Sequence, residues 1–84
     1  MKKITYTEAL NLMIQKGYEI QGEMGIAPNR YATIAKGDGC EVLEENALES
    51  LSTELEQKEY LKQLVKSIED VFVTADLSYE VAAV

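Results

Sequence analysis

The side chains that could do chemistry in this 84-residue chain are mostly carboxylates, because it has fifteen acidic residues, no histidine and one cysteine, Cys40. Without histidine, the Ser/His/Asp and Cys/His mechanisms and the usual zinc sites lack their bases and ligands. No glycine-rich motif has the spacing that cradles a phosphate or a dinucleotide. Carboxylate acid–base catalysis would remain, yet no pair stands out among the fifteen. We therefore expect no enzymatic activity, no cofactor and no metal.

Residues 36–41, Lys-Gly-Asp-Gly-Cys-Glu, have some features of a calcium loop. They lack the alternating Asp or Asn ligands and the closing Glu of an EF-hand. Glycines on both sides of Asp38 instead predict a hairpin turn, because glycine tolerates positive φ. Cys40 then begins a strand. We expect a small, half-buried side chain there rather than a reactive thiol, since Lys36 is the only cation near it in the sequence.

The acidic residues are concentrated in the middle of the chain, in residues 37–59, which we call the acidic block. This block has eight acids and one base, and it accounts for the whole net charge of −7. A protein that binds DNA or RNA directly needs a clustered basic surface that displaces counterions from phosphate. The charge pattern therefore argues against direct nucleic-acid binding and is compatible with a protein partner that has a basic surface.

Two interpretations of the acidic block stay open. In the first, a solvated charged surface only keeps a small protein in solution. In the second, five acids lie along one rim of the domain and imitate a run of phosphates, so that they bind a protein groove rich in Lys and Arg. These candidate partner-binding residues are Asp38, Glu41, Glu44, Glu45 and Glu49.

The first predicted element is an amphipathic helix over residues 6–16. Thr5 and Glu8 match a capping box, in which each side chain satisfies a free amide of the first turn. Apolar residues then recur at three- and four-residue spacing, and Gly17 supplies a left-handed stop.

The pattern then changes to the two-residue period of strands. Apolar and polar residues alternate at 18–21, strand formers continue at 30–35, and a third short strand fits 40–43. Glycine and proline break the pattern over 22–29, which predicts a loop or a wide hairpin connection. Three strands joined in this way form an antiparallel meander, whose apolar face requires a covering helix.

Helical spacing returns after the strands, in two pieces. We predict a short helix near residues 47–51 and a long helix over about 54–73, because their apolar stripes do not run in phase. Asn46 and Thr53, each followed three residues later by Glu, offer the two caps. A single bent helix is the alternative.

The end of the chain also has two interpretations. Alternation over residues 77–81 predicts a fourth strand, whereas a cap at Asp76 would begin a terminal helix. The length fits one core. We therefore predict a single α+β domain over residues 1–84. It has an N-terminal helix, a three-stranded antiparallel meander, a short helix, a long C-terminal helix and a possible fourth strand.

Part of this layout resembles a known group of phage proteins. The tripeptide Tyr-Glu-Ile at 18–20 and the segment 36–46, which begins Lys-Gly-Asp-Gly, are similar to the pattern of small acidic anti-CRISPR proteins that inhibit Cas9. The resemblance covers the chain up to about Leu51, and the long helix and tail lie outside it. It implies inhibition of a nuclease by occupation of its DNA-reading site, with the five acids above as candidate contacts.

The leading hypothesis is a small cytoplasmic protein, encoded by a phage or another mobile element, that inhibits or modulates a protein partner through its acidic residues. The alternative is a structural or accessory homo-oligomer, for example a homodimer, paired through the apolar tail 81–84 and the long helix. A third hypothesis is a metabolic accessory or sensor domain. The single cysteine suits a reducing compartment, and neither a signal peptide nor a membrane-length apolar stretch is recognised, which predicts the cytoplasm.

Overall fold

A computed structural model of the chain describes the backbone of residues 2–83 and the side chains of residues 2–70. Its elements in chain order are α1 (Tyr6–Gln15), β1 (Glu19–Met24), β2 (Tyr31–Lys36), β3 (Gly39–Glu44), α2 (Glu45–Glu49) and α3 (Glu54–Ala83). The strands form one antiparallel sheet in the order β1-β2-β3. The predicted α+β fold is thus confirmed, with its N-terminal helix, three-stranded meander, short helix and long C-terminal helix.

The start of α1 follows from its predicted cap. The Glu8 amide donates to the Thr5 hydroxyl at 3.2 Å, and the Thr5 amide donates to the Glu8 carboxylate at 3.1 Å. Gly17 follows the helix with a φ of 92°, the left-handed conformation that glycine adopts without strain. The buried residues of α1 are Tyr6, Ala9, Leu10 and Met13.

β1 is longer than predicted, which corrects the loop expected over residues 22–29. The strand continues to Met24, and Gly22 pairs with Thr33 of β2. The register shifts between Ile20 and Gly22, so the glycine marks a β-bulge and not the end of the strand.

The turn between β2 and β3 is the predicted tight hairpin. Gly37 and Asp38 form its two central residues, and Gly37 has a φ of 60°, as the first central position of a type II′ turn requires. Gly39 then opens β3 directly beneath α3. A Cβ atom there would run into the backbone carbonyl of Ile68, so this approach of helix to strand requires glycine.

α2 begins two residues earlier than predicted, and the cap expected from Asn46 does not form. Its N-cap residue is Glu44, which makes no side-chain cap hydrogen bond. The helix begins here because Glu45 is anchored to Arg30: its amide donates to the Arg30 carbonyl at 2.8 Å, and its carboxylate binds the Arg30 side chain. A tertiary contact, not a local cap, therefore sets this boundary.

α3 begins at Glu54 as predicted, with the Glu56 amide donating to the Thr53 hydroxyl at 3.1 Å. It extends past Val73 to Ala83, and the backbone of residues 77–81 is helical. The tail therefore continues α3: neither the possible fourth strand nor a separate terminal helix that begins at an Asp76 cap is found within residues 2–83. The physical reason is that no glycine or proline follows residue 54 to end the helix.

The helices all cover the same face of the sheet. α1 packs near β1, and α3 packs mainly on β3. Their buried residues form one cluster with the sheet residues that face them, and that cluster contains Tyr6, Ala9, Leu10, Met13, Tyr18, Ala32, Ile34, Leu43, Leu48, Leu61, Leu64 and Ile68. Within residues 2–83, no helix combines the length and apolar character that crossing a bilayer requires.

Candidate protein-binding surface

The strand register divides the sheet residues between two faces. Successive side chains along a strand point in opposite directions, and the buried pair Ala32 and Leu43 points toward the helices. Their strand neighbours point away from the helices, onto a surface that we call the outer face. Its members are Glu19, Gly22, Met24, Tyr31, Thr33, Ala35, Cys40, Val42 and Glu44.

The outer face has an apolar centre that is open to solvent. Met24, Tyr31 and Val42 expose 64%, 38% and 40% of their surface. Met24 and Tyr31 are cross-strand partners, and the Tyr31 hydroxyl donates to the Met24 sulfur at 3.6 Å. Ile26, in the loop just after β1, is 84% exposed. A sheet face turned to water is normally polar, so large exposed apolar side chains make this face a candidate contact surface.

The charge on the outer face is entirely acidic. Glu19 and Glu44 are its charged members, and Asp38 is exposed at the tip of the adjoining hairpin. The basic residues near the strands are turned toward the helices: the Lys36 ammonium lies 5.0 Å from the Tyr18 ring centre, and Arg30 lies over the ring of Tyr6. The face is therefore apolar in its middle and negative at its edges.

The structure separates the five acids predicted from the sequence, which do not lie along one rim. Asp38 and Glu44 are exposed at opposite ends of β3, about 20 Å apart for a strand of this length. Glu41 lies between them but points to the helix side, opposite Ile34, where its carboxylate accepts a hydrogen bond from the Ser67 hydroxyl at 3.1 Å. Acids that are close in the sequence are therefore divided between the two faces of the sheet, because side chains alternate along a strand.

Glu45 is an internal residue of the fold. Only 6% of it is exposed, and its carboxylate accepts from the Arg30 side chain at 2.9 Å and 2.8 Å in a bidentate pair. The Arg30 guanidinium holds the pKa of this carboxyl below its usual range. Glu45 therefore neutralises Arg30 inside the protein and does not contribute to an acidic surface.

Glu49 also has a structural partner. Its carboxylate accepts from the backbone amide of Tyr6 at 2.9 Å, and its carbonyl accepts from the Lys3 ammonium at 2.9 Å. These bonds join the N-terminal segment to α2. Glu49 thus supports the start of α1, while Asp38 and Glu44 are the predicted acids that project into solvent without such a role.

Sequence reasoning did not single out the apolar residues of the outer face. Both faces of β2 contain apolar side chains, so alternation alone does not show which of Tyr31 or Ala32 is covered. Cys40 is also exposed on this face, which corrects the half-buried position expected for it. The sequence did contain one signal for this surface, namely the large apolar residues Met24 and Ile26 within a segment that is predicted to be a loop.

Two further observations bear on function. The described part of the chain contains no group of three or more side chains that could hold a metal ion. Comparisons with protein-family models, curated proteins and solved structures found no match to this chain. The chemistry of its surfaces is therefore the basis for proposing a function.

Proposed function

We propose that this chain is a protein-binding module whose outer face docks on a partner protein. The single observation that supports this most directly is the one-sided sheet. The helices cover one face, while the other presents Met24, Tyr31 and Val42 to solvent. Aromatic residues and methionine are enriched at protein interfaces, and tyrosine buries much area there at little cost in conformational entropy.

The charges at the edge of this face define the partner's chemistry. Glu19, Glu44 and Asp38 favour an apolar patch bordered by Lys and Arg, which long-range attraction would help the chain to find. The same charges disfavour pairing of two outer faces, because such pairing would bring like-charged carboxylates together. A different protein is therefore a better occupant than a second copy.

A finer proposal is that binding inhibits a protein that handles nucleic acid. Such proteins present clustered Lys and Arg to phosphate, which is the surface chemistry that an acidic edge selects. The resemblance to anti-CRISPR proteins points to the same class of target. If the proposal holds, DNA competes with this chain for its partner, and binding weakens as salt rises.

The test compares captured proteins across matched variants. Wild-type chain on a resin should retain one partner from a lysate of the source cell. The double variant Tyr31→Ser with Val42→Lys should lose it. The control is Ile14→Lys, which places the same charge at an exposed isoleucine of α1, 54% exposed, and should retain the partner.

Hydrogen exchange on the purified complex then locates the contact, and protection should fall on β2 and β3. Protein retained equally by the outer-face variant, or protection confined to the helices, would contradict the docking proposal. A partner displaced by duplex DNA supports the finer proposal of inhibition. A partner that DNA does not displace contradicts that finer proposal alone.

A further inference from the structure

A second surface lies on the opposite side of the sheet, in a groove between α1 and α3. The two helices are joined near their starts by the Gln57 side chain, which bonds to the backbone of Ile4. Near the other end of α1, the Tyr18 hydroxyl donates to the Glu69 carboxylate at 2.9 Å. Between these points the helices do not pack closely on each other, and they border a space of about 690 Å³. That volume is typical of small-molecule sites.

The floor and sides of the groove are apolar. Leu12 is 37% exposed and Leu55 is 61% exposed, so hydrocarbon is open to water along both helices. The apolar side chains that border the space are Leu12, Met13, Tyr18, Leu55, Leu61 and Val65. Such a surface gains free energy when an apolar chain displaces water from it.

The groove is also where positive charge gathers in an otherwise acidic protein. Of the chain's 8 basic residues, four border this one space, together with Glu59 and Glu69. The four are Lys16, Lys36, Lys58 and Lys62. A locally positive groove in a chain of net charge −7 does not follow from composition, and it defines the charge of a complementary ligand.

The groove lysines that form ion pairs keep about half or more of their side chains exposed, so their ammonium groups can turn to a ligand; the shortest of these pairs joins Lys58 to Glu54 at 3.2 Å, with the Lys58 side chain 64% exposed. Lys62 lies 4.0 Å from Glu59, and Lys36 lies 3.9 Å from Glu69. Pairs of this kind contribute little to stability. Lysine can also keep its hydrocarbon stem on an apolar surface while its ammonium group moves to a new anion.

We propose that this groove, which we call the lysine groove, binds an anionic amphiphile. The ligand has a single apolar chain and a carboxylate or phosphate head, as in a fatty acid or an alkyl phosphate. Its chain lies against Leu12 and Leu55, and its head pairs with the lysine ammonium groups. An amphipathic peptide helix fits less well, because a helix about 10 Å wide fills about 400 Å³ per turn, and the groove holds less than two turns.

Titration with monomeric probes tests the assignment. Dodecanoate and dodecyl phosphate, each below its micelle concentration, should bind one per chain by calorimetry, and dodecyltrimethylammonium should not. Lys58→Gln with Lys62→Gln should weaken binding of the anionic probes about tenfold, through the loss of two charge-assisted contacts. The matched control is Lys66→Gln, on the same helix but outside the groove, which should bind as the wild type does.

Lys58 and Lys62 are both exposed, so the double variant should fold, and circular dichroism verifies that it does. Equal binding of the cationic probe, or equal weakening by the control substitution, would overturn the proposal. Vesicles of phosphatidylcholine with and without phosphatidylglycerol distinguish a free ligand from a lipid surface. Binding to the anionic vesicles without binding to either monomeric probe would also overturn it. The outcome is independent of the outer face, which lies across the sheet.

Discussion

Gln57 is a polar side chain at the centre of the fold, with no exposed surface. Its carboxamide oxygen accepts from the Ile4 amide at 2.9 Å, and its nitrogen donates to the carbonyls of Ile4 and Leu48 at 3.0 and 3.1 Å. One residue of α3 thereby satisfies backbone groups of both the N-terminal segment and α2. Buried backbone groups are costly when they lack a partner, so this network fixes how the three segments meet.

Replacing Gln57 with leucine should therefore lower the free energy of unfolding by about 1–3 kcal/mol, since an amide and two carbonyls lose their partner. Urea denaturation followed by circular dichroism measures the change. Gln63→Leu is the control: it makes the same substitution at an exposed position of the same helix and should have little effect. Equal midpoints for the two variants would show that the network contributes nothing.

Glu45 gives a pH dependence whose direction follows from its pairing. Arg30 lowers the pKa of Glu45 from its ordinary value of 4.5, because the guanidinium hydrogen bonds to the charged carboxylate. The stabilisation is therefore complete above about pH 4.5 and is lost as the pH falls through the folded-state pKa. We expect Glu45→Gln to be less stable than wild type at pH 7.

The difference between wild type and Glu45→Gln should close as the pH falls from 4.5 through the folded-state pKa of Glu45. Urea midpoints measured across this range provide the test. The neighbouring substitution Glu44→Gln, at an exposed residue, should give a stability curve parallel to that of wild type. A difference for Glu45→Gln that stays constant with pH would mean that the ion pair is not the cause.

At the scale of elements, local chemistry predicted some boundaries and tertiary contacts decided the others. The Thr5 cap and the Gly37–Asp38 turn act within a few residues, so sequence reasoning located them. The predicted β1 is too short because a glycine normally ends a strand pattern. Gly22 nevertheless belongs to the strand, because it pairs with Thr33 across the sheet. α2 starts at Glu45 because of Arg30, which is fifteen residues away. The spacing of residue types along a sequence does not reveal such tertiary contacts.

Two glycines in strands allow the docking of α3 on the sheet to be tested. A methyl group at Gly39 would run into the carbonyl of Ile68, whereas a methyl group at Gly22 meets nothing within 4 Å. Gly39→Ala should lower the free energy of unfolding by about 1–3 kcal/mol, because the helix must move off the strand. Gly22→Ala should be neutral or stabilising by up to about 1 kcal/mol, because it restricts the unfolded chain.

Urea denaturation of the two alanine variants makes the comparison directly. Backbone entropy alone predicts the same change for both glycines, since neither has a positive φ. A large loss at Gly39 with none at Gly22 therefore isolates the steric contact with α3. Equal stability of the two variants would show that α3 adjusts its position on β3 at no cost.

At the scale of the whole molecule, the sequence predicted an acidic surface but not how the charge is distributed. The acidic block contains Glu45 and Glu49, which bond within the fold, as well as Asp38 and Glu44, which project outward. The lysines of the groove lie directly after α1, at the end of β2 and in α3, so no stretch of sequence brings them together. Net charge is a property of composition, whereas two surfaces of opposite sign are a property of the fold.

The net charge of −7 on 84 residues should make the folded chain less stable at low ionic strength, because like charges are held closer together in the compact state. Raising sodium chloride from about 20 mM to about 0.5 M shortens the screening length well below the size of the domain. We expect the free energy of unfolding to rise by on the order of 1 kcal/mol. The exposed ion pairs that salt weakens contribute too little to offset this gain.

Urea midpoints across the salt series measure the effect, and a charge variant identifies its origin. Glu19→Gln with Glu44→Gln removes two exposed negative charges of the outer face without touching the core. If repulsion across the whole molecule is the cause, this variant is more stable than wild type at low salt and responds less steeply to added salt. If the urea midpoint of the variant rises with salt as steeply as that of wild type, the salt response comes instead from stronger burial of apolar surface, which does not depend on the number of charges.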